Sequence, residues 1–108
     1  MVVEYIRYAI SAGQAAAFED AYRRAGAILA ADEHCLGHEV ARGVEYPDRY
    51  VVRIEWDSVE GHEQGFRKSP AFGDFFALVK PFFDAIEEMT HYSPPGGTDE
   101  FEALAPSE

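Results

Sequence analysis

The order of hydrophobic periodicities along the chain restricts its fold more than any other sequence feature. Residues 2–10 are rich in β-branched and aromatic residues that alternate, and residues 35–45 and 50–56 each place apolar residues on one face. Two longer segments repeat apolar residues at helical spacing. The predicted strands cover residues 2–10, 35–45, 50–56 and 85–92, and the predicted helical regions cover residues 14–31 and 57–83. The resulting order is β-α-β-β-α-β, with the second helical region broken in two. This order predicts an α+β, ferredoxin-like fold with a four-stranded antiparallel sheet.

Local signals support the predicted element boundaries. Ser11-x-x-Gln14 and Asp57-x-x-Glu60 have the capping-box pattern, and each precedes a helical segment. Ser69-Pro70 predicts a further helix start, and Pro81 predicts the end or a kink of that helix. Tyr46-Pro47-Asp48-Arg49 predicts the turn that joins the second and third strands into a hairpin.

One face of the predicted sheet mixes charged and apolar residues, and helices cover the other face. The mixed face is predicted to carry Tyr5, Arg7, Arg53, Glu55 and Glu39 together with Val3, Val51 and Met89. This surface is too apolar to stay fully hydrated and too polar for an ordinary core. It favours a homodimer through the sheet faces, while a monomer with a mildly apolar open face is the alternative.

The charge balance argues against several classes of partner. The chain has 20 acidic and 9 basic residues and a formal net charge of −11, which predicts no nucleic-acid and no membrane partner. The single cysteine and the absence of a signal-peptide pattern predict a cytoplasmic protein. Residues 1–93 are predicted to form one domain, and residues 94–108 an acidic flexible C-terminal tail.

Two consecutive motifs resemble the antibiotic biosynthesis monooxygenase (ABM) family. Ile54-Glu55-Trp56-Asp57-Ser58-Val59-Glu60-Gly61-His62 is similar to the family's strand-end tryptophan and short helix, and Gly65-Phe66-Arg67-Lys68-Ser69-Pro70-Ala71-Phe72 is similar to the opening of its next helix. Glu4-Tyr5-Ile6-Arg7-Tyr8 and Met89-Thr90-His91-Tyr92 also look like members of this family. The resemblance implies a dimeric α+β barrel, and it implies oxygenation of phenolic compounds or quinols without a cofactor.

His62 is the first candidate catalytic residue. A neutral imidazole has a reference pKa near ~6.5 and accepts a proton from a phenol, which makes the phenolate an electron donor for O2. The alternative is a surface histidine or one that links helix to strand. Trp56, Phe66, Phe72 and Phe76 are candidate walls for a flat substrate, although packing alone also explains them.

The last strand offers two further candidates, His91 for substrate binding and Tyr92 for catalysis. Neighbouring strand residues point to opposite faces, so at most one of them faces the helix-side pocket. Arg7 is a candidate for binding a carboxylate or an oxyanion, and its alternative partner is Glu55 or Glu39.

The sequence predicts no metal site and no cofactor. His34 and His38 are too far apart on the predicted structure to share an ion. The family also has a heme-degrading branch, whose asparagine, tryptophan and axial histidine positions fall on Ile6, Phe66 and Phe76 here. Those departures argue against heme cleavage by that route.

Three hypotheses follow for the function. The first is a monooxygenase that oxidises a small aromatic phenol or quinol with O2. The second is a non-catalytic dimeric binding module for a flat hydrophobic ligand such as heme. The third is a structural dimerisation domain with a filled core.

Overall fold

The computed structural model describes residues 1–95. Most of the predicted acidic tail, residues 96–108, lies outside the described residues. The strands are β1 (Val2–Ala9), β2 (Cys35–Arg42), β3 (Arg49–Trp56) and β4 (Ile86–Tyr92), and the α-helices are α1 (Ala15–Ala30) and α2 (Ala71–Val79). Short 3₁₀ and π-helical segments complete the helical regions, at Ala12–Gln14, Gly61–Gly65, Phe66–Lys68 and Lys80–Ala85. The predicted β-α-β-β-α-β order is confirmed.

The four strands form one antiparallel sheet in the order β2-β3-β1-β4. Strand β1 lies between β3 and β4, so its side chains occupy the middle of the sheet. This topology confirms the predicted ferredoxin-like α+β fold. Among residues 1–95, no helix combines the length and the apolar character that crossing a membrane requires.

The main core lies between the helices and one face of the sheet. The predicted apolar stripe of α1 is confirmed, because Phe18, Tyr22, Ala25 and Leu29 are all buried against the sheet. Phe18 is fully buried and contacts rings from three other segments, which are those of Tyr8, Tyr50 and Phe82. Burying a phenylalanine of this kind contributes about 2–3 kcal/mol to folding.

The two predicted capping boxes are wrong. Ser11 makes no side-chain capping hydrogen bond, and a 3₁₀ turn precedes α1 instead. The Asp57 carboxylate pairs with the His34 ring, with 2.8 Å between Oδ2 and Nδ1. The Ser58 hydroxyl oxygen accepts the Gly61 backbone N–H at 2.8 Å and so takes the role expected of Asp57. Pro81 follows the end of α2, as predicted.

The strand register corrects the predicted position of Met89. Met89 lies directly opposite Ile6, and Glu4 lies directly opposite His91. Because residues opposite each other in a ladder share a face, Met89 and His91 lie on the helix side with Ile6 and Glu4. Met89 is therefore absent from the open face, where the sequence placed it.

Candidate functional site

A small cavity lies between the sheet and the helices. Its inner end is formed by buried Glu4, Trp56 and His62, and its outer end by Phe83 and Met89, which are 40% and 46% exposed. The volume is about 50 Å³, which is enough for water-sized molecules but not for an aromatic ring. An aromatic ligand therefore needs the outer side chains to move.

Trp56 fixes the inner end of the cavity. Its indole ring stacks on the His62 imidazole with 4.4 Å between the ring centroids and 10° between the planes. Its indole N–H donates to Glu4 Oε1 at 3.1 Å. The same side chain thus orients the imidazole and the carboxylate, and all three residues are less than a tenth exposed.

Glu4 and His62, which are buried, meet the partly exposed His91 in one cluster. His62 Nδ1 lies 2.8 Å from His91 Nε2, which is hydrogen-bonding distance, and either nitrogen is able to donate. His62 Nε2 lies 3.6 Å from Glu4 Oε1, which is too long for a hydrogen bond. When His62 Nδ1 carries the proton, Nε2 keeps its lone pair and faces the Glu4 carboxylate across a gap.

Burial controls the protonation of this cluster. It lowers the pKa of His62 to about 4, with further lowering by nearby His91 and Arg67. Burial also lowers the pKa of His91. Burial raises the pKa of the Glu4 carboxyl, and the hydrogen bond from Trp56 partly opposes that rise. At neutral pH both imidazoles are therefore in the neutral form, with one ring nitrogen protonated.

Aromatic rings form most of the cavity wall. Phe66 is buried beside Trp56, with 5.3 Å between ring centroids, and it meets Phe72 and Phe75 edge to face. Tyr8 and Tyr22 also line the cavity, and their hydroxyl oxygens are 2.5 Å apart. The wall therefore combines apolar surface with one buried pair of hydroxyl groups.

The π-helix that carries His62 is held against His34. The Asp57–His34 pair lies beside Gly61 and Gly65, and a Cβ atom on either glycine would overlap the His34 ring or the Asp57 carboxylate. The hydrogen bond that His34 donates to the Asp57 carboxylate raises the pKa of His34, which favours the charged form of this exposed pair. Glycine at both positions lets the short helix approach closely enough to place His62 in the cavity.

Six of the eight sequence-predicted site residues lie in or beside this cavity. His62, Trp56, Phe66, Phe72 and Phe76 line it, and His91 contacts His62 from β4. Tyr92 and Arg7 lie on the open face of the sheet. Tyr92 packs edge to face with Tyr5, with 5.3 Å between the ring centroids, and Arg7 Nε pairs with Glu88 Oε1 at 3.2 Å. The structure thus separates Tyr92 and Arg7 from His62.

The expected alternative partner of Arg7 is wrong, because β4 brings Glu88 directly opposite Arg7. Glu55 instead pairs with Arg53, which lies two residues earlier on the same strand, β3.

Sequence reasoning missed Glu4, Tyr8 and Tyr22 as site residues. Glu4 alternates with Ile6 and Tyr8, which face the core. A carboxylate at a core-facing position was therefore the available signal, because acidic residues are rarely buried without a partner.

The cluster also bears on metal binding, for which the sequence predicted no site. Glu4, His62 and His91 each present one ligand atom, and these atoms all lie within 4.8 Å of one another. The three positions that correspond to the heme-degrading branch hold Ile6, Phe66 and Phe76, and all three line the cavity without a side-chain ligand atom.

The fold and the cavity define a ferredoxin-like α+β domain with a buried polar cluster beneath its helices. The chain belongs to the antibiotic biosynthesis monooxygenase family, which it matches over residues 1–78. Protein YczJ of Bacillus subtilis is 29% identical over 92 residues, which are 85% of this chain and 97% of YczJ.

Solved structures show the same fold. A Bordetella bronchiseptica protein matches with a TM-score of 0.71 and 24% identity, over 86% of this chain and 95% of its own. SnoaB, a cofactor-independent oxygenase from Streptomyces nogalater, matches with a TM-score of 0.72 and 16% identity, over 91% of this chain and 96% of its own. Membership of the family supports a monooxygenase in general terms.

Proposed function

We propose that this chain is a monooxygenase that oxidises a small aromatic phenol or quinol with O2 and without a cofactor. The observation that carries the proposal is the position of His62 Nε2 at the inner end of an aromatic cavity, 3.6 Å from Glu4 Oε1. SnoaB, which has the same fold, is a cofactor-independent oxygenase. Fold alone does not define an activity, so the proposal rests on this cluster.

His62 is the proposed proton acceptor. In the tautomer in which His62 Nδ1 donates to His91 Nε2, His62 Nε2 is free to accept a proton. A proton taken from the substrate hydroxyl at Nε2 produces an imidazolium that faces the Glu4 carboxylate. Burial disfavours this charge, and the Glu4 carboxylate, 3.6 Å from Nε2, offsets part of that cost.

The phenolate then supplies all the electrons. The ring carbon para to the phenolate oxygen forms a C–O bond with O2, which gives a hydroperoxide after protonation. The O–O bond breaks as this carbon loses its hydrogen, and one oxygen atom leaves as water. The balance is phenol plus O2 to quinone plus water, so no external reductant is required.

The cavity wall suits a planar substrate after a local opening. Trp56, Phe66, Phe72 and Phe76 supply flat apolar surface, which favours aromatic stacking. Phe83 and Met89 are partly exposed at the outer end, so their rotation admits a ring without disturbing the buried core. The Tyr8–Tyr22 hydroxyl pair provides the oxygen-orienting groups on the cavity side of the sheet.

The open face of the sheet is the proposed homodimer interface. The exposed Arg7–Glu88 pair and the partly exposed Tyr5–Tyr92 ring contact lie there together. A second copy would cover both and complete a dimeric α+β barrel, which is the arrangement general in this family. This proposal requires a two-fold contact between identical surfaces.

The test is turnover of a panel of phenols and quinols under O2, followed by quinone absorbance and O2 consumption. We expect one O2 consumed per quinone formed from a phenol, above the rate of uncatalysed air oxidation. His62→Ala should lower the rate by about 10²–10⁴-fold, the usual contribution of a general base. His38→Ala is the matched control, because His38 is exposed on the edge strand β2. An equal rate in the His62 variant would remove His62 from the mechanism.

A non-catalytic module that binds a flat hydrophobic ligand is the second candidate. The aromatic wall and its partly exposed outer end favour it as much as they favour an enzyme. Quenching of Trp56 fluorescence by a quinone or by heme, with no product under O2, would support this candidate over the first.

A further inference from the structure

We propose that Glu4, His62 and His91 form a binding site for one divalent transition-metal ion of the zinc class. Two imidazole nitrogens and one carboxylate oxygen are a ligand set that zinc(II) and cobalt(II) accept. The inference goes beyond the proposed oxygenation but shares His62 with it. An ion bound at His62 Nδ1 places the ring proton on Nε2, which leaves no lone pair to accept the substrate proton, so the metal-loaded protein is an inactive form.

The distances are close to those of a formed site. His62 Nδ1 and His91 Nε2 are 2.8 Å apart, and the three ligand atoms lie within 4.8 Å of one another. Ligand atoms around one tetrahedral zinc ion are roughly 3.3 Å apart, given bond lengths of about 2.0–2.1 Å. Small side-chain rotations therefore bring the three groups onto one ion.

Three secondary-structure elements hold these ligands in place. Glu4 and His91 are direct neighbours across β1 and β4, and His62 reaches them from the π-helix. The indole N–H of Trp56 orients the Glu4 carboxylate, and the indole ring packs on His62. Such supporting contacts are what metal-ligating side chains require from their surroundings.

The protonation of the cluster also suits a cation. A histidine side chain has a reference pKa of ~6.5, so neutral imidazole nitrogens with lone pairs are available at neutral pH. On binding, the proton shared by His62 and His91 moves to a ring nitrogen that does not face the ion, or leaves to solvent. The positive charge of Arg67 disfavours a cation in the cluster, and the negative charge of Glu63 near His91 favours one.

The cavity leaves space for the remaining coordination positions. Its volume of about 50 Å³ adjoins Glu4 and His62 and accommodates water molecules. Three protein ligands with an open position for water are typical of an exchangeable zinc site. The ion would therefore be accessible to chelators and to small anions.

The test is metal binding by the untagged full-length chain after dialysis against a chelator. Cobalt(II) titration should give visible ligand-field absorption that saturates at one equivalent, and zinc(II) should displace cobalt(II). Glu4→Gln and His91→Gln should each weaken zinc binding by more than about 100-fold, because loss of a ligand exceeds the effect of a supporting contact. His38→Gln should bind as the wild type does. Near-UV circular dichroism of Trp56 establishes that each variant is folded.

The outcomes separate this inference from the proposed oxygenation. Binding that is equally weak in the wild type and in folded Glu4 and His91 variants would overturn the metal site, and turnover of the metal-free protein would still support the oxygenase. Stoichiometric binding without turnover at any metal content supports the metal site and removes the oxygenase. Turnover that zinc(II) abolishes supports both. Turnover that requires the ion supports metal binding but overturns the inactive-form assignment and the cofactor-free mechanism.

Discussion

Trp56 stacks face to face on His62, with 4.4 Å between the ring centroids, while its N–H donates to Glu4. Strand β3 ends at Trp56, and the π-helix begins five residues later at Gly61. One side chain at the strand end therefore fixes the two groups on which both proposals depend. The tryptophan acts as an orienting residue in addition to forming part of the wall.

Trp56→Phe should destabilise the fold more than Glu4→Gln does. Phenylalanine keeps a ring but leaves Glu4 Oε1 without its buried donor, at a cost of about 1–3 kcal/mol. Glutamine at position 4 keeps an acceptor for the indole N–H and should cost less. Urea unfolding of the two variants measures the difference. A smaller loss in the Trp56 variant than in the Glu4 variant would show that the hydrogen bond has little structural importance.

Gly65→Ala should destabilise the protein by about 1–3 kcal/mol, because the added methyl group overlaps the His34 ring. Gly73→Ala is the matched control, since a Cβ there meets no atom within 4 Å and Gly73 lies inside α2. Alanine at position 73 should stabilise by about 0.5–1 kcal/mol. Unfolding midpoints compare the two variants, and equal effects would contradict close packing of Gly65 against His34.

Acid should destabilise the wild type relative to His62→Gln. The pKa of His62 is lowered from 6.5 to about 4, so the folded protein disfavours the charged imidazole that the unfolded chain forms below pH 6.5. The wild type should lose up to about 3 kcal/mol relative to the variant as the pH falls from 6.5 to 4.

The pKa of Glu4 is raised, so its contribution to stability increases as the pH falls, opposite to that of His62. Both proteins contain Glu4, so comparing the wild type with the variant removes most of this contribution. Chemical denaturation of both proteins at several pH values provides the measurement. A constant difference across this range would mean that His62 is not buried as described.

Tyr92→Asp should convert the proposed dimer into a monomer. Tyr92 is 51% exposed on the open face, and an aspartate there would be buried without a partner in a sheet-to-sheet contact. Light scattering gives the mass of the wild type and of the variant. Arg23→Asp, on the exposed side of α1, is the control that should leave the dimer intact. A wild type of monomer mass at all concentrations would overturn the dimer.

The sequence predicts the backbone arrangement well, because local periodicity determines it. The stripe of α1 and the alternation of β1 each specify one buried face, and the structure has both. The site is less predictable because long-range register assembles it. Glu4 meets His91 only through the β1–β4 ladder, and Met89 changes face for the same reason.

A partner from an earlier part of the chain explains why the capping prediction at Asp57 is wrong. Asp57 has the capping-box spacing, but a histidine 23 positions earlier in the chain pairs with it. A pattern of four residues contains no information about such a partner. Ser58, the next residue, then supplies the hydrogen bond to Gly61.

Isotope labelling shows whether the oxygen atom added to the substrate comes from O2. The metal-free protein is incubated with a phenol under ¹⁸O2, and the quinone is analysed by mass spectrometry. We expect one ¹⁸O atom in each quinone, a second in water, and a rate about 10²–10⁴-fold lower in His62→Ala. Quinone without ¹⁸O, or labelled quinone formed equally fast by the His62 variant, would contradict the proposed mechanism.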